Sequence, residues 1–267
     1  MFIMTEINKI YTHGGTFHAD EAFASAMIRV LNPNCEILRV FKVPEEVTES
    51  DIVVDIGFGH YDHHQSDGVP CRPDGGKRAA CGLVWEDVKD LIFQTESTKT
   101  QFEQNFIIPV EIQDNGGEKN PISLFIAGMN PSWDSTSSAD SLFAEAVRFF
   151  VDLIHREQER EKSRLRGESI IKDALAKSEG KGYITLKQFA PWQEQVVPTD
   201  KIFILFLSNR GQWTVQTVPT TVGGREPKQL LPQQEEMTGC IFRHPGGFIA
   251  SFDSYESARD TCEKITQ

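Results

Sequence analysis

Five of the seven histidines of this chain, His13, His18, His60, His63 and His64, fall in its first quarter, interleaved with Asp20, Asp55 and Asp62. Imidazole nitrogens and carboxylate oxygens together are a donor set for hard and borderline divalent metals, so the pattern predicts a metal site near the N-terminus. In THGGTFHADE, two glycines let the backbone fold tightly enough for His13, His18 and Asp20 to converge. In DIVVDIG, Asp55 falls at the carboxyl end of an apolar run and Asp51 at its start, so only Asp55 belongs to the site edge. YDHHQ offers Asp62, His63 and His64; adjacent histidines in an extended segment point opposite ways, so these two are expected to do different work. EIQDNG adds Asp114 just before an Asn-Gly turn. Any one of these reads equally well as a polar turn residue, and Asp20 as a helix N-cap. Six donors at strand ends, or in the loops just after them, favour a site over six independent caps.

Those positions require parallel β/α units. A strand at Ile7–Thr12 enters the THGGTFHAD turn, and the Ala-rich EAFASAMIRVL reads as a helix ending at Asn32 and Pro33. CEILRVFKV and DIVVDIGF read as two more strands, the second apolar enough to be covered on both faces. A Gly- and Pro-bearing loop from Asp67 to Gly76 leads to a helix over 79–93, a further helical region surrounds Gln101, and IIPVEIQDNG reads as strand or helix end. Helical spacing of Leu142, Phe143, Ala146, Phe149, Phe150 and Leu153 predicts a core-facing helix over 139–177, broken or bent near Gly167. The rest reads as a small antiparallel sheet closed by a helix near 255–265. The expectation is an α/β chain of two domains: a mostly parallel, doubly wound N-terminal sheet with its helical connector over 1–178, and a smaller α+β domain over 179–267 across a cleft.

With 39% hydrophobic residues the chain can bury a substantial core, and a net charge of −12 argues against docking on long duplexes or anionic membranes. Nine Lys or Arg against six Asp or Glu over 156–187 form a local basic stretch in which Arg156, Arg160 and Arg164 share a helix face. Such a helix is more often a solvated face than a nucleic-acid track. Five scattered cysteines without a CxxC pair read as reduced thiols. With no leader-like N-terminus and no membrane-length apolar run, the protein is expected to be soluble and cytoplasmic. Its oligomeric state is open, a homo-oligomer included.

TFHADE, DIVVDIG and YDHHQ, in this order and spacing, resemble the melanocyte-proliferating-gene (MYG) family of metal-dependent hydrolases, a branch of the DHH phosphoesterase superfamily named for the triplet at Asp62, His63 and His64. AACGLVWE, DNG, MNPSW and GCIFRHPGGFIASF resemble later segments of that family. By this likeness one metal would take His13, His18 and Asp55, and a second Asp20, Asp55, His63 and Asp114, with Asp55 bridging. The resemblance implies two divalent ions, with manganese first and magnesium, cobalt or zinc as alternatives, and a bridging hydroxide that attacks phosphorus. His64 would face the phosphoryl group, Asp62 would orient an imidazole, and Arg243, His244, Gly246 and Gly247 would grip the substrate. The implied activity is a phosphodiesterase, a 3′-to-5′ exonuclease on RNA or short oligonucleotides. The alternatives are a small-molecule phosphatase or pyrophosphatase, and a metal-binding interaction protein without turnover.

Overall fold

The computed structural model describes residues 4, 6–65 and 68–266, so the first residue of the loop expected from Asp67 lies outside the described residues, as do parts of the extreme N-terminus. Two compact units, Met1–Glu161 and Lys162–Gln267, divide the chain inside a long helix.

In the first unit, β1 (Lys9–His13), β2 (Glu36–Val40) and β3 (Asp51–Val53) form a wholly parallel sheet in the order β2-β1-β3. Parallel neighbours need a crossover, and α1 (Ala19–Leu31) supplies it between β1 and β2. The register pairs His13 with Val40 and Tyr11 with Val53, so the carboxyl ends of all three strands share one edge. Small residues on α1, with Ala22, Ala24 and Ala26 fully buried, allow close packing of α2 (Ala80–Ile92). Next come α3 (Glu96–Phe102), one widened π-helical turn at Glu103–Ile107, α4 (Ile108–Asp114) and α5 (Pro121–Ala127). IIPVEIQD is therefore helix, and Pro109 is tolerated because its missing N–H falls in the first turn. The core of this unit is aromatic, with the Phe23 and Phe150 rings stacked at 4.2 Å.

The helix α6 (Ala139–Ala176) runs unbroken past Gly167, contrary to the expected interruption there. One glycine costs a helix only about 1 kcal/mol, and a Cβ at Gly167 would meet the Pro191 ring at 3.2 Å, so the residue makes room for packing. Phe143, Ala146 and Phe150 are buried as the spacing predicts, whereas Phe149 is partly exposed beside Phe125.

In the second unit, β4 (Tyr183–Leu186), β5 (Phe203–Leu207), β6 (Trp213–Thr217), β7 (Cys240–Arg243) and β8 (Ile249–Phe252) order as β4-β5-β6-β8-β7. This sheet is mixed, not antiparallel: β4 and β5 are parallel and joined by a crossover carrying α7 (Gln193–Val196). The uninterrupted FILFL of β5 has a simple reason. Ile204 and Phe206 enter one core with Ile171 and Trp192, while Phe203 and Leu205 enter another with Ala258 and Cys262 of α8 (Tyr255–Thr266). Among the described residues no helix is long and apolar enough to cross a membrane, and all five cysteines are unpaired. Much of the basic stretch is neutralised locally, through Arg160 with Glu157, Lys172 with Glu168 and Arg164 with Glu194.

Glu161 of α6 caps α3 from outside. Its carboxylate accepts from the Gln94 N–H at 3.1 Å, the Thr95 N–H at 2.7 Å and the Thr95 hydroxyl at 2.9 Å. Burial opposes its charge, but these donors prevail and hold the group below its ordinary pKa of 4.5. Glu161→Ala takes a charged acceptor from three part-buried donors and should cost about 2 kcal/mol in denaturant unfolding at pH 7. A folded-state pKa below the unfolded one gives stability that is present above pH 4.5 and lost as pH falls through the folded value. The gap between wild type and variant should accordingly narrow in acid; a gap that stays constant would refute the assignment.

Candidate metal centre

The common edge of the parallel sheet opens into a cavity of roughly 840 Å³ whose walls carry His13, His18, Asp20, Asp55, His63, His64 and Asp114. All six expected ligands thus reach one space, together with His64.

His13 ends β1 and sets Nε2 3.0 Å from Glu21 Oε1 and 3.5 Å from Asp55 Oδ2. Asp55 and then Glu21 hold a proton on this imidazole, raising its pKa to about 11. Asp55 lies two residues beyond β3 with φ of +57°, and its N–H donates to the Tyr61 carbonyl at 2.9 Å. Asp is among the few non-glycine residues that tolerate this conformation, and such outliers concentrate at functional sites. The Asp55 carboxylate stands between imidazoles, with Oδ1 3.7 Å from His63 Nε2 on the side away from His13. His63 Nε2 also lies 3.2 Å from Asp114, the last residue of α4. Carbonyls at a helix C-terminus favour a cation there and disfavour a bare carboxylate. Burial, reinforced by Asp55, keeps the Asp114 pKa above the ordinary value.

Asp20 is fully buried and is an N-cap, but of a different helix from the one it belongs to. Its two oxygens accept from the N–H groups of Ala80 and Cys81 at 2.8 and 2.7 Å, where α2 begins. Burial, then the charges of Asp55 and Asp114, push its pKa well up. The residue preceding α1 is His18, whose N–H donates to Glu21 Oε1 at 2.7 Å.

Three donor groups result: His13, His18 and Glu21; Asp55, His63 and His64; and Asp20, His63 and Asp114. Glu21 is the member that sequence reasoning missed. Its signal was available, because a Glu three residues after a helix-capping position is the second half of a capping box. The expectation that His63 and His64 diverge is overturned: their rings lie 4.4 Å apart, and both face Asp55 Oδ1. The segment is a turn and not a strand, since the Asp62 N–H bonds the Gly59 carbonyl and the Asp62 carboxylate draws back the His64 N–H and its Nδ1, the latter at 2.8 Å. Asp62 is buried and does not line the cavity. Burial works against its charge, but the N–H groups of His64 and Phe58 and the His64 imidazole hold its pKa below the usual range. His60 instead pairs with Asp87 at 3.3 Å. Asn130, in the MNPSW segment, supports the site by clamping both the N–H and the carbonyl of Phe17.

The residues suit divalent metal. Asp20, Asp55 and Asp114 line one space, with Glu21 grouped with His13 and His18 beside it, and the described lining holds no Lys or Arg. Asp55 Oδ1 and Glu21 Oε2 are buried without a hydrogen-bond partner. Buried acceptors left in that state are costly unless a cation satisfies them.

In the second unit, Arg243, His244, Gly246 and Gly247 form the turn between β7 and β8. Here the amides expected to approach a phosphate are engaged: Gly246 N–H bonds His244 Nδ1 at 3.0 Å and Gly247 N–H bonds the His244 carbonyl at 2.8 Å. The Arg243 guanidinium donates to the carbonyls of Leu231, His244 and Pro245.

The profile of the MYG1 exonuclease family, described as Uncharacterised protein family (UPF0160), matches residues 9–265. The chain belongs to the MYG1 family. The MYG1 exonuclease of Mus musculus is 28% identical, in an alignment covering 94% of this chain and 82% of the relative. The MYG1 protein of Saccharomyces cerevisiae is also 28% identical, with 93% of each chain covered. The MYG1 protein of Chlamydia trachomatis is 26% identical, with 95% of each covered. No solved structure matches. The MYG1 match spans both units and all three donor groups.

Proposed function

We propose that this chain is a metal-dependent phosphodiesterase of the DHH type that removes nucleotides from the 3′ end of RNA or short oligonucleotides. The observation that carries the reading is the convergence of three carboxylates and four imidazoles on one cavity, with Glu21 grouped behind His13 and His18 and with buried acceptors that lack hydrogen-bond partners. The exonuclease names of the mammalian relatives support a nucleic-acid substrate. The family likeness puts manganese first, while the imidazole nitrogens among the carboxylate oxygens also suit zinc or cobalt, and the carboxylates magnesium.

Two ions would be held by Asp20, Asp55, Asp114, His13, His18 and His63, with Glu21 added to the first position. Divalent ions held there would supply Lewis-acid stabilisation of attacking and leaving oxygens. The chain does the rest. Asp55 keeps His13 and His63 on opposite sides of the reacting centre. Asp62, by accepting from His64 Nδ1, fixes the tautomer and leaves Nε2 available; in its protonated form that nitrogen donates to a phosphoryl oxygen. In the second unit, with the amides of Gly246 and Gly247 and the Arg243 guanidinium all engaged by neighbouring groups, the proposed substrate contact is the side chain of His244.

With Mn²⁺, the protein should shorten 5′-labelled RNA oligomers one nucleotide at a time, and a chelator should stop it. Phosphate release from mononucleotides without shortening would make it a phosphatase. Full Mn²⁺ occupancy without hydrolysis of any phosphoester would make it a metal-binding interaction protein.

A further inference from the structure

Phe41 is 88% exposed and Phe58 is 68% exposed, and both leave the sheet edge that carries the metal centre. Phe41 follows Val40, the register partner of His13 across β1 and β2. Its ring lies on the turn after His13: a Cβ at Gly14 would meet three of its atoms at 3.2–3.4 Å, and one at Gly15 would meet it at 3.7 Å. Glycine at both positions is what lets an aromatic ring settle on the backbone there. Phe58 sits three residues beyond Asp55, and its N–H donates to the carboxylate of Asp62 at 2.6 Å. Its φ is +58°, a conformation that an aromatic residue rarely adopts. The segments that carry the two rings touch, since a Cβ on Gly57 would strike Val43 at 2.7 Å. Trp133 is more exposed still, but Phe41 and Phe58 are exposed rings borne by the segments that leave the carboxyl ends of β2 and β3, beside the end of β1 at His13.

We infer that Phe41, with Phe58 beside it, is a stacking platform for a nucleobase next to the phosphodiester held at the metal centre. The inference rests on the exonuclease reading and names how such a substrate is gripped. Exposed rings cost little to keep in water singly, but two of them on adjoining segments that leave the sheet edge bearing the site, one lying over the turn after His13, offer the apolar face that an unpaired base lacks in solution. Every base has such a face, so the platform confers grip without sequence preference. It also favours nucleic acid over esters that carry no base. Arg39 steadies the turn from beneath, reaching the Gly15 carbonyl at 2.5 Å with its guanidinium over Phe143 at 4.9 Å.

The test compares RNA pentamers with pentamers abasic at either residue flanking the scissile bond, in Mn²⁺, for wild type, Phe41→Ala and Phe41→Trp. Wild type should prefer the base-bearing strand by about ten- to a hundredfold in kcat/KM, mostly through KM. Phe41→Ala should lose most of that preference and Phe41→Trp should keep it. An alanine variant that still prefers base-bearing RNA to the wild-type extent overturns the platform. Cleavage of neither strand by wild type is a different failure: it removes the exonuclease reading, and the platform falls with it.

Discussion

Asp55→Asn should lower metal-dependent hydrolysis by about a thousandfold or more and should abolish the second metal equivalent in equilibrium dialysis. The carboxylate faces His13 with one oxygen and His63 and His64 with the other, so it serves every donor group either directly or at one remove. Under the two-ion proposal its loss would remove the charge the cations share, and several kcal/mol of transition-state stabilisation at about 1.36 kcal/mol per decade gives that scale. Asparagine is the informative replacement. It also tolerates the φ of +57° found at this position, so the turn into YDHHQ should survive. A variant with near wild-type turnover would remove Asp55 from the centre, and with it the two-ion arrangement.

Saturating Mn²⁺ should raise the thermal midpoint of the protein by roughly 5–11 °C over the chelated form. At a hundred times Kd the linkage is about 2.7 kcal/mol, and a domain of this size shifts roughly 2–4 °C per kcal/mol. The physical source is repulsion. Asp20 and Asp114 both have raised pKa values, first from burial and then from the neighbouring Asp55 charge, and a cation relieves the crowding. Asp55→Asn should remove most of the Mn²⁺ shift, whereas its effect on the chelated midpoint is small because relief of Asp20 and Asp114 is set against loss of the His13 pair. Identical melting curves with and without Mn²⁺ would show that the carboxylates are balanced by something other than metal.

The candidate donors were readable in the sequence where local rules applied. His13 and Asp55 follow apolar strand patterns, and a strand end in a parallel sheet is a place where ligands gather. Local rules failed where the chain turns back on itself. His63 and His64 look like opposite faces of a strand, but the Asp62 carboxylate bends the segment until both rings face Asp55. The parallel pairing of β4 with β5 was hidden as well, because strands of either direction share the same alternation, and only the crossover through α7 decides. Gly167 looked like a break because its packing partner, Pro191, lies 24 residues away in the sequence numbering.

The order of residues alone decided the kinds of donors and the strand ends that bear them, since turns, caps and periodicity act over a few positions. Which donors meet was decided only in three dimensions. Asp20 reaches α2 across 60 residues of sequence, and Asp114 meets His63 because α4 delivers its C-terminus to the sheet edge. Such meetings depend on how α1, α2 and α4 pack, and packing sums many weak contacts that no short stretch of sequence encodes.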